Sequence, residues 1–287
     1  MRFFFRRRDF IPVIRLTGTI GMATPLRPGL SLAALAAPLE KAFKMSKLPG
    51  VAISINSPGG SPVQSNLIFQ RIRQLATENG KRVHVFCEDV AASGGYFIAV
   101  AGDEIYADPS SIIGSIGVIS QSFGLDKAIE RLGIERRVYT SGLNKGALDP
   151  FLPEKAEDIA RLKALQSDVH DVFMGIVRDR RGGKLKTDDP DLFSGAFWSA
   201  RRATDLGLID GIADMRSRLR QIYGAKVELR GVPLAKPGLL SRLRRGAGAG
   251  DISHVSASIP AWLAGGSLVE DALSAIEARA LWARFGL

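Results

Sequence analysis

The stretch "VAISINSPGGSPVQSNLIFQRIRQLATENGKRVHVFC", Val51–Cys87, decides the fold. Its first six residues, Val51–Asn56, form a short, mostly apolar run, the pattern of a strand buried on both faces of a parallel sheet. Ser57-Pro58-Gly59-Gly60-Ser61 then breaks the chain sharply. A helix follows from Pro62 to about Glu78, with Leu67, Ile68, Ile72 and Leu75 on its inner side. Asn79-Gly80 ends it as a left-handed cap. Arg82–Cys87 reads as a second buried strand. Strand, helix and strand with short links define a right-handed crossover unit and an α/β fold.

The pattern extends outward from this unit. Ile11–Ile20 reads as a strand ending in a turn. Leu30 to Lys47 has a helical period, with Leu32, Leu35, Leu39 and Phe43 on one side. Pro38 either kinks that helix or marks its start. Past Ser93 the sequence predicts a short helix, then strands at "EIYAD" (Glu104–Asp108) and "GVISQS" (Gly117–Ser122). A long amphipathic helix runs from about Pro153 to Arg181. Ile159, Leu162, Leu165, Val169, Val172, Phe173 and Ile176 keep its 3.6 period, and Gly182–Lys184 stop it.

The expected organisation has four parts: a basic stub (1–10), an α/β domain (11–228), a Gly/Ala/Arg-rich linker (229–266) and a C-terminal amphipathic helix (267–287). Ser267 and Glu270 make a capping box for that last helix. Val269, Leu273, Ile276 and Ala280 give it an apolar stripe, expected to dock on protein.

The net charge is +10, from 39 Lys and Arg against 29 Asp and Glu. This excess suits an anionic surface as partner or a solubilising coat. The cationic clusters are Arg6-Arg7-Arg8 and Arg242–Arg245. Cys87 is the single cysteine, so no intrachain disulfide forms, and a reducing compartment fits. No segment reaches the roughly 18 apolar residues of a membrane span, and the three phenylalanines of "MRFFFRRRDF" fall short of a signal peptide. The expected location is cytoplasmic, with peripheral contact at an inner membrane through the basic stub.

Three polar, glycine-bearing loops carry the candidate chemistry: Asn56–Ser61, Ala92–Gly95 and Ser141–Lys145. Ser93 lies at a strand-to-helix turn that would expose its hydroxyl, or its glycines simply let helix and strand pack closely. Gly94 and Gly60 would offer backbone N–H groups to an oxyanion. A histidine base has little support. His84 lies in a strand, His170 on the long helix and His254 in the linker. A lysine freed of its proton by burial can replace histidine, and Lys145 in "YTSGLNKGALDPF" is the lysine of choice. No metal cluster, phosphate loop or nucleotide motif is legible, so neither a cofactor nor a metal is expected, nor a nucleic-acid partner.

The ordered set "VIRLTGTI", "INSPGGSPVQS", "DVAASGGYFIAVAGDEIYADPSSIIGSIGV", "SGLNKGALDPF" and "ATDLGLIDGI" resembles the signal peptide peptidase A family of serine peptidases, peptidase family S49. The resemblance covers roughly Ile11 to Met215. It implies a Clp protease/crotonase-like fold of repeated ββα units, with parallel sheets flanked by helices. It implies Ser93 as nucleophile, Lys145 as general base, Gly60 and Gly94 as oxyanion donors, and Ser115 as the serine that orients the lysine. It further implies a ring- or dome-like homo-oligomer in which Ser and Lys meet across subunits, and extended apolar peptides as substrates. Typical members carry an N-terminal membrane anchor, which is not legible here, and the tail from about Leu229 has no placed counterpart.

Two other classes stay open. A crotonase-like acyl-CoA enzyme would use the paired N–H groups on a thioester. A non-catalytic scaffold on anionic membranes would use the arginines and the terminal helix.

Overall fold

The computed structural model describes residues 9–21, 29–186, 189–234 and 268–287. A mostly parallel sheet organises the body. β1 (Phe10–Thr17), β2 (Gly50–Ser57) and β3 (Arg82–Ala92) lie side by side, and β8 (Glu228–Gly231) adds to the outer edge of β1. β3 is longer than its six-residue apolar run predicts. Its first half pairs with β4 (Glu104–Ala107), its last three residues with β5 (Ile112–Gly114). β6 (Phe197–Ser199) joins β5 antiparallel, and the two-residue β7 (Gly211–Ile212) extends β4.

Helices cover one face: α1 (Leu32–Lys44), α2 (Pro62–Asn79), α3 (Gly94–Ala99) and the C-terminal half of α5 (Ala156–Arg181). Their buried residues Leu35, Leu39, Phe43, Ile68, Ile72, Leu75, Phe97, Phe173 and Val177 meet Ile14, Leu16, Ile53, Ile55, Val83 and Val85 of the strands. Strand residues of opposite parity, Ile11, Ala52 and Phe86, face the other way and pack on Leu219 of α7 (Met215–Tyr223). α4 (Asp126–Arg131) and α6 (Ala200–Asp205) complete the body, and α8 (Leu268–Ala283) follows the tail.

Several expectations need correction. α1 starts at Leu32, where Ser31 caps it by accepting from the Ala34 amide, so Pro38 sits inside the helix and does not mark its start. Gly117–Ser122 is not a strand. The β-pairing falls on Ile112–Gly114, because β3 runs on to Ala92 and offers its edge there, whereas Ile119 onward lies in solvent. The α5 stripe is buried only toward its end: Leu165 and Val172 are exposed while Phe173 and Val177 are buried. The body also runs past the expected boundary at 228. β8 pairs with β1, and Val232 is buried, its amide bonded to Val13 O. The remaining linker expectation (235–266), the stub up to Arg8 and the Ser267 cap lie outside the described residues. In α8, Ile276 is 63% exposed, so the chain itself leaves this residue of the stripe uncovered, and the side chains of Val269 and Leu273 lie outside the described residues.

Candidate active site

β3 delivers Ser93 into a sharp turn. Ser93 has φ 51° and ψ −123°, a backbone region that L-residues rarely adopt. Holding a serine there costs on the order of 1–3 kcal/mol, and such strain concentrates at functional sites. The turn is clamped on both sides. Ser93 N–H donates to Gly114 O at 2.8 Å, and Ser93 O accepts from Phe97 N–H at 2.9 Å. Ser93 is half-buried, and among the described residues its Oγ has no hydrogen-bond partner.

Glycines clear the space around it. Gly59 and Gly60 have φ 110° and 141°. A Cβ on Gly59 would stand 2.8 Å from Ser93 Cβ and 3.0 Å from Gly94 N. One on Gly60 would stand 2.1 Å from Ile20 O. One on Gly95 would meet Ser57 O at 2.4 Å. The Gly59-Gly60 loop is pinned by Ile20 N–H to Gly59 O and by Ser61 N–H to Ile20 O, both 2.9 Å.

Two backbone N–H groups lie beside Ser93. Gly60 N lies 3.3 Å from where a Gly94 Cβ would stand. Among the described residues, neither the Gly60 nor the Gly94 N–H has an acceptor. Unbonded amides next to an unbonded hydroxyl can stabilise negative charge developing on a substrate oxygen.

Ser115 follows Gly114, the residue whose carbonyl takes the Ser93 amide. It is 4% exposed, has φ 52°, and donates its N–H to Ala196 O at 2.6 Å. Ser93, Gly60, Gly94 and Ser115 thus share one region, at the carboxyl ends of β2, β3 and β5.

Lys145 does not join them within one chain. It is exposed, and no hydrogen bond connects it to Ser93 or Ser115. It lies in a segment from 119 to 157 in which no residue is buried. Phe123 and Tyr139 there are 81% and 91% exposed. The segment is nevertheless ordered on itself: Arg136 pairs with Asp149, Leu125 N–H donates to Pro150 O, and Arg161 bonds Asn144 Oδ1. Arg136 and the Phe151 amide hold the Asp149 carboxyl below its ordinary pKa.

Among the described residues no histidine is hydrogen-bonded to Ser93. His84 is buried between Glu104 and Tyr223, and His170 meets Ile116 O. His254 is outside the described residues. Gly59, which the sequence marks only as part of the candidate loop, and Ile20 and Ser65, which it does not single out, stand against the glycines beside Ser93. The signal for Gly59 was its neighbour Gly60; Ile20 and Ser65 carry none beyond apolar and small character.

The sequence model of peptidase family S49 matches residues 76–226. A putative protease of Synechocystis is 33% identical over 213 residues, covering 72% of this chain and 75% of that protein. The chloroplastic serine protease SPPA of Arabidopsis thaliana is 30% identical over 246 residues, 83% of this chain and 35% of that protein. The chain belongs to peptidase family S49 and has its Clp protease/crotonase-like fold. A Brucella abortus protein named Na(+)/H(+) antiporter NhaA is 58% identical over 280 residues, 96% of this chain. The chain spans only 37% of that protein's length. Among the described residues, no helix is long and apolar enough to cross a membrane.

Proposed function

We propose that the chain is a serine endopeptidase whose nucleophile is Ser93 and whose general base is Lys145 of a neighbouring copy, with a peptidase domain that runs from β1 through β8 to the buried Val232. One observation carries the reading: the unbonded Ser93 Oγ in a strained turn beside the two free amides of Gly60 and Gly94. The exposed, self-ordered segment around Lys145, studded with uncovered apolar side chains, supports delivery of the lysine to a second subunit.

In this mechanism neutral Lys145 takes the Ser93 proton as Oγ attacks the scissile carbonyl. The oxyanion rests on the Gly60 and Gly94 amides. Ser115 orients the amine. Lysinium then protonates the leaving nitrogen, and a water activated by the same lysine hydrolyses the acyl-enzyme. The substrates are extended apolar peptides, such as signal-peptide remnants or membrane-derived segments. The place of action is the cytoplasmic side, with peripheral contact to anionic lipid; the net charge of +10 and the free, buried Cys87 support this location.

The test is intact-mass analysis after a serine-directed peptidyl phosphonate, on wild type and Ser93→Ala. One adduct per chain mapping to Ser93 is expected. A folded oligomer that stays unlabelled would overturn the assignment and favour an acyl-CoA or scaffold role.

A further inference from the structure

The back of the Ser93 turn is closed by the far end of the chain. Val90 and Ala92, both fully buried, point away from the main core and form a cluster with Phe285, flanked by Ile112 and Trp282. Phe285 itself is 8% exposed. Its ring meets Phe197 edge-on, with centroids 5.1 Å apart. Val90 is the register partner of Ile112, Ala92 that of Gly114, and Gly114 that of Phe197. The Phe285 cluster therefore spans β3, which leads into Ser93, β5, which carries its Gly114 acceptor, and β6, which pairs with β5. The chain reaches this place by a tight turn after α8: Phe285 N–H and Leu287 N–H both donate to Trp282 O, and Gly286 takes φ 74°. Leu287 then borders a cavity of about 710 Å³ shared with Phe86, Pro109 and Met215.

We propose that Phe285, seated with Trp282, is a positioning residue for Ser93. This rests on the peptidase reading above. A strained turn persists only where its surroundings over-determine it. In front, glycines leave the turn open to substrate. Behind it, the C-terminal segment keeps Val90 and Ala92 from shifting and holds the Ser93–Gly114 bond in register. The active site thus depends on residues 282–287, far along the sequence from the nucleophile.

The full chain is compared as wild type, Phe285→Ala, Phe285→Leu and Ile276→Ala, the last an exposed α8 control. Amide exchange is followed over residues 90–96 and 112–116, with 51–55 of β2 as internal reference. Phosphonate labelling of Ser93 is timed in parallel. Phe285→Ala is expected to speed exchange in the first two segments about tenfold, matching roughly 1.4 kcal/mol of lost local stability, and to leave β2 unchanged. Labelling should slow by a similar factor. Phe285→Leu should recover most of both, and it decides the matter if the alanine variant fails to fold. Ile276→Ala should match wild type. Unchanged exchange at 90–96, or unchanged labelling despite faster exchange, overturns the proposal. If wild type is never labelled, the peptidase reading fails, while the exchange data still decide whether Phe285 holds the turn.

Discussion

The amide of Ser93 donates to the carbonyl of Gly114 across 2.8 Å, so the turn of the candidate nucleophile hangs from the residue just before Ser115. Both serines sit at positive φ, 51° and 52°. The two loops are thus fixed relative to each other by backbone, before any side chain acts.

Strain at Ser93 has a measurable sign. Glycine adopts φ 51° without the Cβ penalty, so Ser93→Gly should raise stability by about 1 kcal/mol, a gain of about 2–4 °C in melting temperature. Ser93→Ala should show no such gain. Thermal unfolding of the two variants checks this, and a Ser93→Gly protein less stable than Ser93→Ala would contradict the strain.

Gly60 has no room for a methyl group. Its Cβ would stand 2.1 Å from the Ile20 carbonyl oxygen, at φ 141°. Gly60→Ala should cost about 2 kcal/mol and abolish Ser93 labelling by turning its N–H away. Denaturant unfolding with labelling tests it. A stable, fully reactive variant would remove Gly60 from the oxyanion role.

Sharing of Ser93 and Lys145 between copies predicts complementation. Ser93→Ala and Lys145→Ala should each be inactive. Unfolded together and refolded as a mixture, they should recover about a quarter of wild-type turnover, since in a ring each site draws its two groups independently. No recovery in a well-formed mixed oligomer would place both groups in one subunit.

Arg181 is a buried cation, 3% exposed. Its Nη1 meets Asp210 Oδ2 at 2.8 Å, and Lys184 reaches the other oxygen. Burial alone would raise the Asp210 carboxyl, but Arg181, Lys184 and the Ile105 amide together hold it below its ordinary value. The unfolded carboxyl therefore binds protons more readily, so this stabilisation is present above about pH 4 and is lost as pH falls through the lowered value. Asp210→Ala strands the guanidinium and should cost about 3 kcal/mol at pH 7. Urea unfolding at pH 7 and pH 3 should show the penalty shrinking in acid.

His84 gives a second window. Its side chain is 1% exposed, between Glu104 Oε2 at 3.1 Å and Tyr223 OH at 2.8 Å. Burial lowers its pKa, with Glu104 opposing in part. The unfolded state takes up the proton first, so stability is complete above about pH 6.5 and falls below it, ahead of the carboxylates. Melting temperature between pH 7.5 and 5 should fall for wild type and fall less for His84→Gln, which can keep both contacts. Identical slopes would rule His84 out as the source.

The α/β class, the β1 to β3 core and the α2 cap at Gly80 were legible because each rests on a local pattern: apolar runs, a 3.6-residue period, glycine at positive φ. Ser93 and the paired glycines were legible as candidates because strand-turn-helix boundaries are marked by small residues. The motifs also sufficed to place the chain in its family. Edge pairing was not legible. Whether Ile112–Gly114 or Gly117–Ser122 becomes a strand depends on how far β3 runs, which is a property of the sheet and not of either segment. The same holds for Phe285. Its sequence neighbours give no hint of Val90, Ala92 and Phe197, and only the folded sheet creates the apolar recess that it fills. Lys145 marks the opposite case: sequence singles it out, and the tertiary structure leaves it in solvent, because among the described residues nothing buries the segment that carries it.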